Sequence, residues 1–332
     1  MNKLCKCFFL FSVITLAITD FCIAQSSAKS EWVYHHAKGK LQYKTLESGD
    51  KIMDFSYAGY MGGGVKIPTV DVKITLNPIK GDNSAAIQQA IDEVSKMKLV
   101  NGFRGTVLLK PGVYDCEKPL VISASGVVLR GSGFNEKGTV LNLTGKPHAA
   151  VTVRGDVKSR VVGEPTVIAD KYVPSGTTAF SIKDASLFKV GDTIRITRPI
   201  NDNWIEFMGM HQLVRSGKKQ TWISGEITTD RVIAKIKKNK ITVDVPLNDS
   251  YDAKYISPAV TVQKVTTTGL LTQIGIENFR ILAAPQSVTI NEGHHRAFTI
   301  SGISDGWARD IEVFNTVNSV SVTGRRITVD NV

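Results

Sequence analysis

The chain has 332 residues, 42% of them hydrophobic and 8% aromatic, and a formal net charge of +11. That length can bury one large core or two, and the ordinary hydrophobic fraction excludes a disordered or collagen-like chain. Beyond residue 24 no stretch reaches the roughly 18 consecutive apolar residues that a membrane-spanning helix needs, so no transmembrane segment is expected.

Residues 1–24 read as a secretory signal. Lys3 and Lys6 precede an apolar run from Phe8 to Ala17, and Cys22 and Ala24 supply small residues at a cleavage site. Cleavage after Ala24 would remove Cys5, Cys7 and Cys22, leaving Cys116 alone and no internal disulfide. An exported protein, whether periplasmic, cell-surface or secreted, has nucleic acid as an unfavoured partner. Its positive charge then points to an anionic glycan or to a solvated basic surface. Lys235, Lys237, Lys238 and Lys240 cluster in what reads as a hairpin turn.

Residues 25–80 are polar and irregular, with Gly59 and the run Gly62, Gly63 and Gly64. The glycines suit close packing of the backbone against another surface. A phosphate loop would need a following Lys-Ser or Lys-Thr and a strand–loop–helix setting, which the segment lacks. Ile87, Ala90, Ile91 and Val94 form one apolar stripe at helical spacing, preceded by Asp82, Asn83 and Ser84 as capping residues. This predicts the only helix of the mature chain.

From 105 to 175 the texture changes to short runs rich in Val, Ile and Leu that end at Gly, Asn or Ser, as in stacked coils. Residues 176–260 alternate more strictly and read as an antiparallel insertion. Trp204, Phe207, His211 and Trp222 fall in its loops. Coils resume within 261–332, where Asn278, Asp310 and Asn331 each precede an apolar residue. Their spacing suits a solenoid turn with one inserted loop, and such polar residues stack for structural reasons. The chain stops at Val332 inside a segment that reads as a strand, so a truncated solenoid is expected.

Gly81-Asp82, the helix, Gly105-Thr106-Val107-Leu108-Leu109-Lys110-Pro111-Gly112-Val113-Tyr114 and Val127-Val128-Leu129-Arg130-Gly131-Ser132-Gly133 together resemble the start of the pectate-lyase-superfamily β-helix proteins. The close match covers about 50 residues, from 81 to 133. The resemblance implies an all-β fold, a right-handed parallel β-helix with an N-terminal capping α-helix, here with an inserted antiparallel β subdomain. It specifies fold more than reaction, because the superfamily includes lyases, glycoside hydrolases and non-catalytic tail or adhesion proteins. It also implies Ca²⁺ as a cofactor of lyase members, although no run of acidic calcium ligands stands out. Nor does the paired-aspartate pattern of the polygalacturonase-like hydrolases.

Cleaving a uronate polymer by β-elimination needs a base for the C5 proton, a cation for the carboxylate and an acid for the leaving oxygen. Asn291-Glu292-Gly293-His294-His295-Arg296 is the densest source of such groups. His294, His295 and Arg296 are therefore the expected catalytic residues, with Glu292, Arg309, Trp307 and Trp204 as substrate contacts. Glu206 and His211 lie near Trp204 and are weaker candidates. The structural reading of each is a hydrogen-bonded loop histidine, a solvated arginine or a buried tryptophan. Adjacent histidines cannot easily face one ion, which argues against zinc. The expected function is a secreted polysaccharide-degrading enzyme, a lyase acting on an acidic glycan. A glycoside hydrolase on the same scaffold and a non-catalytic glycan-binding or adhesion solenoid are the alternatives.

Overall fold

A computed structural model describes residues 30–36, 41–219 and 224–332. The expected signal peptide and Trp222 lie outside the described residues.

The apolar runs form three ladders of parallel strands in one strongly curled sheet, consistent with a β-helix. The first ladder stacks Val72–Leu76, Gly105–Leu109 and Val127–Arg130, then stretches of Leu271–Ala283, Arg296–Phe314 and Val320–Asp330. The second stacks Gly112–Cys116, Thr139–Leu143 and the later halves of Leu271–Ala283 and Arg296–Phe314. The third stacks Leu120–Ile122, Ala149–Arg154 and the starts of Arg296–Phe314 and Val320–Asp330. The three late strands are long because each bends through a corner and serves more than one ladder.

Parallel in-register stacking aligns like with like along the axis. Val107, Leu129, Ile276 and Ala308 form one inward column, and each is fully buried. Tyr114, Leu141, Leu120, Val151 and Phe298 enter the same core from the other ladders. Burying a side chain of this size contributes about 1.5–3 kcal/mol. Cys116 also points into this core, where burial pushes its thiol up to about 12.

The helix Ser84–Lys96 lays Ile87, Ala90, Ile91 and Val94 against the early strands, as its stripe predicts. Asp82 starts it: the Asp82 carboxylate accepts the Ser84 N–H at 2.9 Å and the Glu117 N–H at 3.1 Å, tying the helix to the neighbouring rung. Asn83 instead clamps the preceding turn through Ile79 and Gly81. The expectation of a single helix needs correcting: Asp202–Phe207 forms a second, six-residue one. It is too short to show a helical stripe in sequence.

The corners explain the polar repeat. Asn278 and Asp310 turn the chain from the first ladder to the second with φ of 65° and 53°, and Asn331 takes the same conformation after Val320–Asp330 with φ of 50°. Asn and Asp tolerate this left-handed conformation better than other non-glycine residues. Asn331 donates to Asp310 at 2.7 Å, whereas Asn278 donates to the Gly131 carbonyl at 3.2 Å, so the polar stack is only partly side chain to side chain.

Between the third and fourth rungs the chain builds a six-stranded antiparallel sheet. Its order is Lys158–Val167, Thr261–Thr268, Thr193–Pro199, Glu226–Lys237, Lys240–Val243 and Ala179–Ser181. Phe180, Ile194, Ile196, Ile233 and Ile241 give it a core of its own. Its outermost pairing, Lys158–Val167 with Thr261–Thr268, lies outside the span 176–260 in which alternation is clear. Gly163 and Pro165 obscure the pattern in the first of those strands.

Residues 55–71 lie across the outer face of the first ladder. Tyr60, Ile67 and Val70 pack there with Phe103, Val128 and Trp307. The Tyr60 N–H donates to Thr328 Oγ1 at 2.8 Å, and a Cβ on Gly59 would sit 3.1 Å from that oxygen. Gly59 thus serves close packing on the ladder and Gly63 a tight turn against the Ser56 carbonyl, whereas a Cβ on Gly64 would meet open space.

Candidate functional site

The register of the third ladder assembles the predicted histidine site. Arg296 pairs with Ala149, and the Arg296 N–H donates to the His148 carbonyl at 3.0 Å. This places His148 beside His295, with ring centroids 5.0 Å apart at 83°. The His148 N–H donates to His295 Nδ1 at 3.3 Å, and the His295 N–H donates to Gln286 Oε1 at 2.7 Å. His294 Nδ1 lies 2.6 Å from the Glu292 carbonyl, and Arg296 Nε donates to His294 Nε2 at 3.2 Å.

Both ring nitrogens of His294 are thus engaged, Nδ1 with the Glu292 carbonyl and Nε2 with Arg296. Burial and the neighbouring His148 push His295 below the ordinary histidine value. His294 and His295 are only 7% and 8% exposed. Glu292 turns outward, and its Oε2 accepts the Thr289 N–H at 2.6 Å. That bond holds its carboxyl below the usual range and commits it to closing a turn. Sequence reasoning missed His148. The signal was the repeat itself, which stacks the residue before Ala149 on the residue before Arg296.

Arg309 and Trp307 belong to a different place. Both point outward from the first ladder, and both meet Glu277. Trp307 Nε1 and Arg309 Nε donate to Glu277 Oε2 at 2.7 Å and 2.8 Å, while Arg130 Nε pairs with Oε1. Glu277 is 1% exposed and Trp307 is 0% exposed. Tyr60 and Phe103 meet the Trp307 indole edge-on at 5.2 Å and 6.2 Å. The expected sugar-stacking face of Trp307 is therefore covered by protein, a correction to its sequence reading. Arg309 neutralises a buried carboxylate at a distance along the chain from the histidines. The structure does not bring the two groups into one site.

Trp204 lies in a third place, on the helix Asp202–Phe207 of the antiparallel sheet. Its ring packs on that sheet's core, with the Arg198 guanidinium 4.4 Å from the ring centroid. Arg198 is 3% exposed and pairs with Asp249 at 2.7 Å. Trp204 is thus occupied on one face by a buried cation. The same helix turns Glu206 and Phe207 outward. Phe207 is 57% exposed and stacks on Tyr255 with centroids 3.9 Å apart at 21°. Lys254 Nζ stands 4.9 Å from the Tyr255 centroid. Asn203, Glu206, Phe207, Lys254 and Tyr255 line an open cleft of about 310 Å³. Sequence reasoning placed Phe207 in a loop and missed Tyr255 and Lys254, which arrive from about 50 residues away.

Another cleft, of about 530 Å³, runs beside the last strand between Phe134, Glu312, Asn315 and Val332, and holds none of the predicted site residues. The calcium implied by the resemblance does not fit these residues. Among the described residues no group of three or more His, Cys, Asp or Glu side chains could hold a metal ion. Glu292, the acid nearest the histidines in sequence, has its carboxylate engaged by Thr289.

No family model and no curated protein matches the chain. Among solved structures it is similar to three tailspikes. The gp54 tailspike of Acinetobacter baumannii bacteriophage AP22, in complex with A. baumannii capsular saccharide, is 13% identical with a TM-score of 0.38, over 75% of this chain and 32% of that one. The gp61 tailspike of Pseudomonas phage phi297 is 12% identical with a TM-score of 0.35, over 70% and 30%. The gp49 tailspike of Pseudomonas phage LKA1 is 12% identical with a TM-score of 0.33, over 74% and 44%. The chain spans between about a third and under half of the length of these tailspikes.

Proposed function

We propose that this chain is an exported glycan-engaging protein on a right-handed parallel β-helix. The helix Ser84–Lys96 caps its first rung, and the antiparallel sheet carries a saccharide contact. The observation behind this reading is the exposed Phe207–Tyr255 stack at the rim of an open cleft. A pyranose presents an apolar C–H face that covers an aromatic ring, while its hydroxyls need polar partners at the ring's edge. Asn203 and Glu206 supply such partners, and Lys254 supplies a cation for an acidic sugar. Calorimetric titration of the protein with uronate-containing and neutral oligosaccharides tests it. Phe207→Ala and Tyr255→Ala should each weaken binding about two- to tenfold. Equal affinity in the variants and the parent would sink the reading.

The finer reading is cleavage of an acidic glycan by β-elimination. The imidazoles of His294 and His295 beside Arg296 support it. In that step a neutral imidazole takes the C5 proton, the C4–O bond breaks with its electron pair going to the leaving oxygen, and a C4=C5 double bond forms. Arg296 would neutralise the uronate carboxylate, and the imidazole protonated by taking the C5 proton would pass that proton to the leaving oxygen. Ultraviolet absorbance of the new double bond follows the reaction. Replacing His294, His295 and Arg296 together should abolish it. Neither unsaturated products nor new reducing ends from the parent protein would leave a binding module.

A further inference from the structure

We propose that the hairpin joining Glu226–Lys237 to Lys240–Val243 is a docking surface for an extended anionic polysaccharide, separate from the aromatic cleft. Lys235, Lys237, Lys238 and Lys240 are all exposed there. The register sets Lys237 directly opposite Lys240, with Lys235 two residues along on the same face of the sheet. Ile236 and Ile241 turn to the other face and pack on the core. The three lysines thus form an outward row, with neighbouring Cβ atoms roughly 5 Å apart across the strands and about 7 Å along them. Asn239 Nδ2 donates to the Lys183 carbonyl at 2.8 Å, which sets a fifth exposed lysine beside the turn. None of the five forms an ion pair among the described residues.

Two features argue that this charge is more than solvation. Like charges directly opposite in a ladder destabilise it, and any small polar residue would serve an exposed sheet face as well. Lysines often guard open sheet edges against unwanted pairing. That role would account for Lys235 and Lys237, whose stretch pairs only with Lys240–Val243, but not for Lys240, whose strand is flanked on both sides, nor for Lys238 in the turn. Lys238 moreover occupies the turn at φ 54°, a conformation that Gly or Asn adopts at lower cost. The Lys237–Lys240 pair and the turn therefore carry positive charge where folding alone disfavours it. A row of ammonium groups at this spacing is complementary to a polymer with closely repeated carboxylates or sulfates. The proposal rests on the glycan reading only for naming the polymer a polysaccharide.

The test is affinity electrophoresis of the full chain through gels containing a polyuronate, a sulfated polysaccharide, a polyphosphate or a neutral glucan. The comparison is between the parent and the combined variant Lys237→Gln, Lys238→Gln and Lys240→Gln, with circular dichroism to confirm folding. The parent should be retarded more strongly by the polyuronate or the sulfated polymer than by the glucan. The variant should lose about tenfold or more in affinity at low salt and show a shallower salt dependence. Its affinity for neutral oligosaccharide at Phe207 and Tyr255 should be unchanged. Equal retardation of variant and parent, or no retardation of the parent by either anionic polysaccharide, overturns the proposal. Retardation by polyphosphate alone overturns the polysaccharide assignment. Failure of the aromatic-cleft variants to affect neutral sugar binding would count against the cleft and not against the lysine row.

Discussion

Glu277 and Arg309 face each other on adjacent parallel rungs, and Arg309 Nε donates to Glu277 Oε2 at 2.8 Å. Arg130 occupies the equivalent position one rung earlier and holds the other carboxylate oxygen. The ladder register alone creates this Arg–Glu–Arg row, and residues 55–71 close over it. Two guanidinium groups and the Trp307 N–H depend on one buried carboxylate. Glu277→Ala should therefore cost about 3–5 kcal/mol, because it strands cations that are largely buried. Glu277→Gln keeps an acceptor and the side-chain shape and should cost less. Urea unfolding of the two variants checks both the size and the order, and a cost near zero for Glu277→Ala would refute the account.

Gly275 stands opposite Trp307 in the same ladder, and a Cβ there would lie 2.4 Å from the indole. The ring has no room to retreat, with Tyr60 and Phe103 against it. Gly275→Ala should destabilise by about 1–3 kcal/mol through overpacking. Near-ultraviolet circular dichroism should show the Trp307 environment altered. An unchanged spectrum and midpoint would mean that the ring is looser than its contacts imply.

Asn278 turns a corner at φ 65°. Asn278→Gly keeps the backbone accessible and loses only the bond to Gly131, whereas Asn278→Val forces a β-branched residue into the left-handed region. The valine variant should be less stable than the glycine variant by about 1–2 kcal/mol. Thermal unfolding of the pair measures that difference directly, and equal midpoints would contradict the assigned corner geometry.

Burial and the adjacent His148 hold His295 below its unfolded value. The unfolded chain therefore binds this proton first. The associated stability is complete above an unfolded pKa of about 6.5 and is lost as pH falls from there toward the folded value. Chemical denaturation between neutral pH and about pH 5 should show this decline, and His295→Asn should flatten it. A slope identical in parent and variant would assign the decline to other groups.

Much of the scaffold was legible in the sequence because its signals are local. The stripe of Ile87, Ala90, Ile91 and Val94 needs only helical geometry to read. The short apolar runs ending at Gly or Asn show strands, and the spacing of Asp310 and Asn331 shows a rung. The antiparallel segment was legible through alternation in Thr193–Pro199 and Glu226–Lys237. Its first strand was obscured by Gly163 and Pro165.

What residues meet across rungs was decided only by tertiary structure. His294, His295 and Arg296 are adjacent in sequence, but His148 joins them through ladder register across 147 residues. Trp307 and Arg309 point outward from their own strand, where the ladder register sets them opposite Gly275 and Glu277. Their burial comes from a distant segment, residues 55–71, that folds over that face. Phe207 and Tyr255 are brought together by a strand pairing pattern that neither residue encodes locally. A linear pattern specifies which way a side chain points from its own strand; what then covers it depends on chain closure over many residues, a non-local free energy that no short window of sequence contains.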